Sequence, residues 1–160
     1  MQFGSGLPAS ILPLHEEEKE TSNLCLYNLR MTEDKTIMLK KLRILIVDDQ
    51  QRARLSLKAL LATRFQLIDT CEAVNGIEAI RCVEECKPDL VLMDIWMPEM
   101  DGIEATRIIK AKVAQLPVIV LSLYSEYRAA ALAAGANAFL LKGESVEQLM
   151  AILLAACSTN

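Results

Sequence analysis

Aromatic residues are scarce in this chain of 160 residues: tryptophan, tyrosine and phenylalanine together make up 4%. A core of usual density must then be packed from Leu, Ile, Val and Ala, the palette of helices laid on a parallel sheet. Histidine occurs once, at His15, and the five cysteines (Cys25, Cys71, Cys82, Cys86, Cys157) are odd in number and lack framework spacing. Cys82 and Cys86 could share one helix face, but a zinc site would need further thiolates or imidazoles. Reduced thiols and a cytoplasmic compartment are the expectation. No apolar run approaches the roughly 18 residues of a membrane span. Residues 7–14 are apolar, but no basic region precedes them and Glu16, Glu17 and Glu18 follow, so a secretory signal is not expected. The net charge is −4, and the densest basic run, Lys40, Lys41 and Arg43, reads as a solvated lead into a strand. Direct nucleic-acid binding, which needs clustered Lys and Arg, is not expected.

What is present is length for one domain and a hydrophobic share of 52%. Residues 1–40 carry Gly4, Gly6, Pro8 and Pro13, then an acidic run interrupted by Lys19. They are expected to form a flexible extension with local structure only near 24–39, and Met31 and Met38 offer later starts. Residues 41–160 form the expected domain. Short apolar runs predict strands over 43–47, 66–73, 90–93, 117–121 and 138–141. Helical spacing fills the gaps, with helices over 51–62, 77–86, 103–114 and 126–134. Gly135 suits the position after the fourth helix. Ser145 and Gln148 have the spacing of a capping box at the start of the fifth. Five strand–helix units in alternation imply a parallel α/β sheet covered on both faces. In such sheets function gathers beyond the carboxyl ends of the strands.

Those ends carry Asp48 and Asp49 (first strand), Asp94 (third), Ser122 (fourth) and Lys142 (fifth). Three crowded carboxylates repel one another and call for a cation. Oxygen-only donors favour Mg²⁺ over zinc. A hydroxyl and an amine aimed at the same point complete a site for a tetrahedral anion. A carboxylate beside a divalent ion is a competent nucleophile toward phosphorus, and Asp94, on the central strand, is the best-placed acceptor.

The segments LRILIVDDQ (42–50), PDLVLMDIWMPEMDGIEA (88–105), LPVIVLSLYSE (116–126) and ALAAGANAFLLKG (131–143) closely resemble the receiver domain of two-component response regulators. The resemblance implies a flavodoxin-like five-stranded sheet of order 2-1-3-4-5 with five helices. It implies that Asp94 is the phosphoacceptor and that Asp48, Asp49, Asp94 and the Trp96 backbone carbonyl hold Mg²⁺. Ser122 and Lys142 would contact the phosphoryl group, and Phe139 would swing inward as Ser122 moves. The face of the fourth helix, fifth strand and fifth helix would be the output surface. The donor would be a sensor histidine kinase or histidine phosphotransfer protein, and a phosphorylation-dependent homodimer is left open. Catalysis beyond the domain's own phosphorylation and dephosphorylation is not expected. Two departures stand out. Gly143 replaces the proline common after the lysine, which predicts a more mobile loop. Trp96 is bulky beside the route of hydrolytic water, so a slow loss of phosphate is expected, with Trp96 and Tyr124 tuning the phosphoryl lifetime.

Rival readings fare worse. A haloacid-dehalogenase-type phosphatase needs an acid–base Asp where Trp96 stands. A flavodoxin needs Gly, Ser or Thr donors where Asp48-Asp49-Gln50-Gln51 stand. A phosphorylation-independent interaction domain of the same fold is disfavoured by the complete site. The chain is short for an added output domain, which leaves a stand-alone receiver or a piece of a longer DNA-binding regulator.

Overall fold

A strand built only from β-branched and leucine residues is stable when both of its faces are covered. A computed structural model of the protein describes residues 29–31, 37–39, 41–65 and 68–157. Two short strands, β1 (Leu29–Met31) and β2 (Ile37–Leu39), pair antiparallel in a sheet of their own. The remaining strands are β3 (Leu42–Val47), β4 (Ile68–Ala73), β5 (Leu90–Asp94), β6 (Val118–Ser122) and β7 (Ala138–Leu141). They form one parallel sheet in the order β4-β3-β5-β6-β7. Counted within that sheet the order is 2-1-3-4-5, the flavodoxin-like arrangement expected from the sequence. β5 and β6 are buried along their whole length, and β3 from Ile44 onward.

The helices are α1 (Gln51–Arg64), α2 (Gly76–Cys86), α3 (Gly102–Lys112), α4 (Arg128–Ala133) and α5 (Val146–Cys157). On one face, Leu61 of α1 and Leu149 and Leu153 of α5 pack on Ile44, Ile46, Leu92 and Ile119. On the other, Ala79 and Val83 of α2, Ala105 and Ile109 of α3 and Ala131 of α4 pack on Leu45, Val47, Val91 and Val120. Side chains of one strand alternate between the two cores, as a doubly covered sheet requires.

Local signals act as their chemistry suggests. Ser145 Oγ accepts from Gln148 N at 3.3 Å while Gln148 Oε1 accepts from Ser145 N at 3.2 Å, the reciprocal capping box. Gly135 has φ +99° directly after the last turn of α4. Its N–H reaches Leu132 O and the Ala136 N–H reaches Ala131 O, the paired bonds of a Schellman end.

The fourth helix departs from the reading as one helix over 126–134. A 3-10 turn (Ser125–Tyr127) precedes α4, which is only six residues long. Tyr127 packs edge-on against both Trp96 and Tyr124, contacts that accompany the tighter first turn and that helical spacing does not report. The strand expected from 66 starts at Ile68, and residues 66 and 67 lie outside the described set. Most of the 1–40 extension lies outside it too.

Candidate functional site

β5 and β6 run one residue further than the apolar pattern suggested, so Asp94 and Ser122 are the last residues of ladders rather than the first of loops. Asp94 pairs with Leu121, and Ser122 with Leu141. Sheet hydrogen bonds therefore fix their backbones. Asp48 follows β3 directly and is tied to β4 by its own N–H, which donates to Ala73 O at 3.2 Å. Asp48, Asp94 and Ser122 are buried while Asp49 is exposed.

One carboxylate oxygen from each of Asp48, Asp49 and Asp94 lies within 4.8 Å of the others. Lys142, one residue past β7, sends its amine into the group, with Nζ 2.7 Å from Asp48 Oδ2 and 2.7 Å from Asp94 Oδ1. Burial pushes the Asp94 carboxyl up; the Lys142 hydrogen bond and charge oppose this, and the Asp48 charge reinforces it. For Lys142, burial alone would lower the amine. Hydrogen bonds from its amine to Asp48 and Asp94, with their charges, outweigh that and hold it above its ordinary value, so it stays protonated. Ser122 Oγ accepts from Tyr124 N at 3.1 Å, a local turn that leaves its hydroxyl proton free to donate.

The neighbouring loops press close. An added Cβ at Gly102 would lie 1.8 Å from the Asp94 carbonyl oxygen, so the start of α3 can abut Asp94 only as glycine. Asp101 caps that start, its Oδ1 accepting from Ile103 N at 2.9 Å and Glu104 N at 2.8 Å. Arg54 of α1 donates to Asp48 O at 2.8 Å and bridges to Glu72 at 2.9 Å, tying the acidic turn to α1 and β4. Sequence reading missed Arg54 and the role of Gly102. Gly102 stood inside a quoted motif, while Arg54 carries no signal beyond a basic residue one turn into a helix.

The other expected site residues are less uniform in placement. Trp96 is exposed, its ring 5.6 Å from that of Tyr127, and Tyr124 is half exposed. Phe139 is buried, with the Arg128 guanidinium 4.9 Å from its ring centre. Gly143 has φ +106° and nothing within 4 Å of an added Cβ. The turn it occupies is closed by Glu144, whose N–H reaches Leu141 O at 3.1 Å.

The sequence model of the family described as "Response regulator receiver domain" matches residues 44–154. The chain belongs to that family. It is 46% identical over 114 residues to the uncharacterized transcriptional regulatory protein YhcZ of Bacillus subtilis, covering 68% of this chain and 52% of that one. It is 38% identical over 112 residues to the response regulator protein VraR of Staphylococcus aureus, covering 68% and 53%. The receiver also superposes on the response regulator TrrA of Thermotoga maritima, a structure in complex with Mg²⁺ and BeF. That match has a TM-score of 0.67 and 30% identity, covering 72% of this chain and 98% of that one. The receiver spans about half the length of the curated relatives it matches. It is a phosphoacceptor domain of two-component signalling.

Proposed function

We propose that Asp94 accepts the phosphoryl group, with Lys142 and Ser122 as its partners and Asp48, Asp49, Asp94 and the Trp96 carbonyl as the protein ligands of Mg²⁺. The observation that carries this is the Lys142 amine held 2.7 Å from both Asp48 and Asp94, beside a third carboxylate. Three carboxylates with no thiolate or imidazole among them suit a hard divalent ion. Bound there, Mg²⁺ would screen the carboxylates from the incoming phosphoryl charge. An Asp94 oxygen forms the new bond to phosphorus as the bond to the donor's histidine nitrogen breaks. Lys142 pairs with the phosphoryl oxygens, and Ser122 donates its free hydroxyl proton to them.

The donor is a sensor histidine kinase or a histidine phosphotransfer protein in the cytoplasm. The face of α4, β7 and α5 carries the output, with Phe139 and Ser122 as its switch. The relatives' names point to a DNA-binding output in a longer protein. Trp96 and Tyr124, whose rings both meet that of Tyr127, set how long the phosphoryl group survives.

Trp96 is the only tryptophan, so its fluorescence reports the site. It should change on adding Mg²⁺ and again with beryllofluoride, and Asp94→Asn should abolish the second response. A variant that keeps it would remove Asp94 as the acceptor. Followed after acetyl phosphate is withdrawn, the same signal reads the lifetime, and decay within seconds would remove the role given to Trp96.

A further inference from the structure

The loop from the acceptor strand to α3 carries a strained residue. Met100 N–H donates to Pro98 O at 2.7 Å, and Glu99 between them has φ +67°. This is the three-residue γ-turn with a positive central φ, a rare and strained shape that suits glycine better than glutamate. Two hydrogen bonds hold the turn against the start of α2. Asn75 Nδ2 donates to Glu99 Oε1 at 2.9 Å, and Gly76 N–H donates to Met100 O at 3.1 Å. Asn75 is buried, and its Oδ1 accepts from Glu78 N at 2.8 Å, so one amide both caps α2 and grips the turn. Gly76 permits the close approach, since an added Cβ would lie 2.7 Å from Met100 Cγ and 2.9 Å from Met100 O. Met97 and Met100 pack against the core on either side of the turn, whereas Glu99 is exposed. Burial of its side chain therefore does not account for its backbone.

We propose that Glu99 is a positioning residue for the cation site: clasped by Asn75, it keeps the strained turn closed and so presets the Trp96 backbone carbonyl. The inference rests on the reading of that carbonyl as a Mg²⁺ ligand. Strained backbone persists only where the surroundings impose it, and it gathers at sites that must be held in one shape. Here the surroundings are the Asn75 amide and the Gly76 N–H, both fixed by the first turn of α2. Trp96 stands three residues before Glu99, and Pro98 between them locks its own φ. Movement at the turn is therefore passed along a short, stiff piece of chain to the carbonyl. On the other side of Trp96, Gly102 N–H donates to Ile95 O at 2.9 Å, which fixes the start of the loop. A carbonyl held from both sides needs no ordering when the ion arrives, whereas one on a loosened loop must be ordered at a cost in affinity.

Mg²⁺ is titrated into the whole chain by calorimetry, and amide hydrogen exchange is followed without the ion. Asn75→Ser keeps a hydroxyl that can cap Glu78 but is too short to reach Glu99. Glu99→Gly suits the positive φ and removes the carboxylate. Each should weaken Mg²⁺ binding about tenfold and speed exchange at the Met100 amide in the ion-free protein. Together they should weaken binding little more than either alone, because both break the same hydrogen bond. Glu99→Gln keeps the acceptor oxygen and loses only an exposed, salt-screened charge, so it should bind Mg²⁺ as the parent does. With Mg²⁺ saturating, every variant should keep its beryllofluoride response, since Asp94, Ser122 and Lys142 are unchanged. Parent-like affinity in Glu99→Gly, unchanged exchange at Met100, or a loss in Glu99→Gln equal to that in Glu99→Gly would each overturn the proposal. A parent that binds no Mg²⁺ would overturn the metal reading itself, and the inference with it. The two Glu99 variants leave the cap of α2 alone, so the comparison stands if Asn75→Ser fails to fold.

Discussion

Without the Lys142 amine, the side chains of Asp48 (2% exposed) and Asp94 (9%) would face each other without the positive charge that bridges them, leaving backbone N–H groups such as that of Gln50 on Asp48 as a weaker offset. Breaking a fully buried pair costs roughly 3–5 kcal/mol, and Lys142 is a quarter exposed. Lys142→Met should therefore lose about 2 kcal/mol in Mg²⁺-free denaturant unfolding. Added Mg²⁺ should restore more stability to the variant than to the parent, since it would supply the missing positive charge. An equal gain in both would separate Lys142 from the cation site. Two glycines near this amine differ in kind. Gly102→Ala drives a methyl into the Asp94 carbonyl and should cost more than about 3 kcal/mol, abolishing the beryllofluoride response. Gly143→Ala meets no atom and strains only a positive φ, so it should cost about 1–2 kcal/mol with the response kept. Similar losses in both would show that backbone strain, rather than the close approach to Asp94, governs this end of the sheet.

At the level of elements, legibility followed the range of the interactions. The capping box at Ser145 and the left-handed Gly135 are set by residues within one turn and were readable in sequence. So were β5 and β6, whose apolar runs admit no other place than the middle of a covered sheet. The break before α4 was not, because Tyr127 meets Trp96, which is 31 positions earlier in the chain. Arg54 was missed for a similar reason, since its partner Glu72 sits on the next strand. That link carries its own pH dependence. Hydrogen bonds from Arg54 and then Lys58 hold the Glu72 carboxyl below its ordinary value, against a smaller opposing effect of burial. A carboxyl lowered in the folded state stabilises it fully above the unfolded value, and the contribution fades as pH falls through the lowered folded value. Glu72→Gln should thus cost about 1 kcal/mol near pH 7 and almost nothing at a pH below that folded value. Urea midpoints across the acid range would show the two proteins converging on acidification. Parallel curves would mean that the Arg54 bridge contributes nothing as an ion pair.

For the molecule as a whole, all five strand ends of the acidic edge come from one sheet whose two cores lie within residues 42–156. The family match falls inside the same span. β1 and β2 pair with each other and add no strand to that sheet. The site is therefore assembled entirely from residues 48–142, and its order of carboxylates, hydroxyl and amine was visible before any coordinate. The positions of the supporting side chains were not, because packing across the sheet leaves no periodic trace in sequence. Removing residues 1–40 should leave a domain that unfolds in one cooperative step, with a melting temperature within about 4 °C of the full chain. That interval is roughly what 1 kcal/mol shifts in a domain of this size. The Trp96 response to Mg²⁺ and beryllofluoride should be unchanged in amplitude and midpoint. A larger fall in melting temperature, or a weakened response, would mean that the N-terminal segment belongs to the folded domain and that the boundary at residue 41 is misplaced.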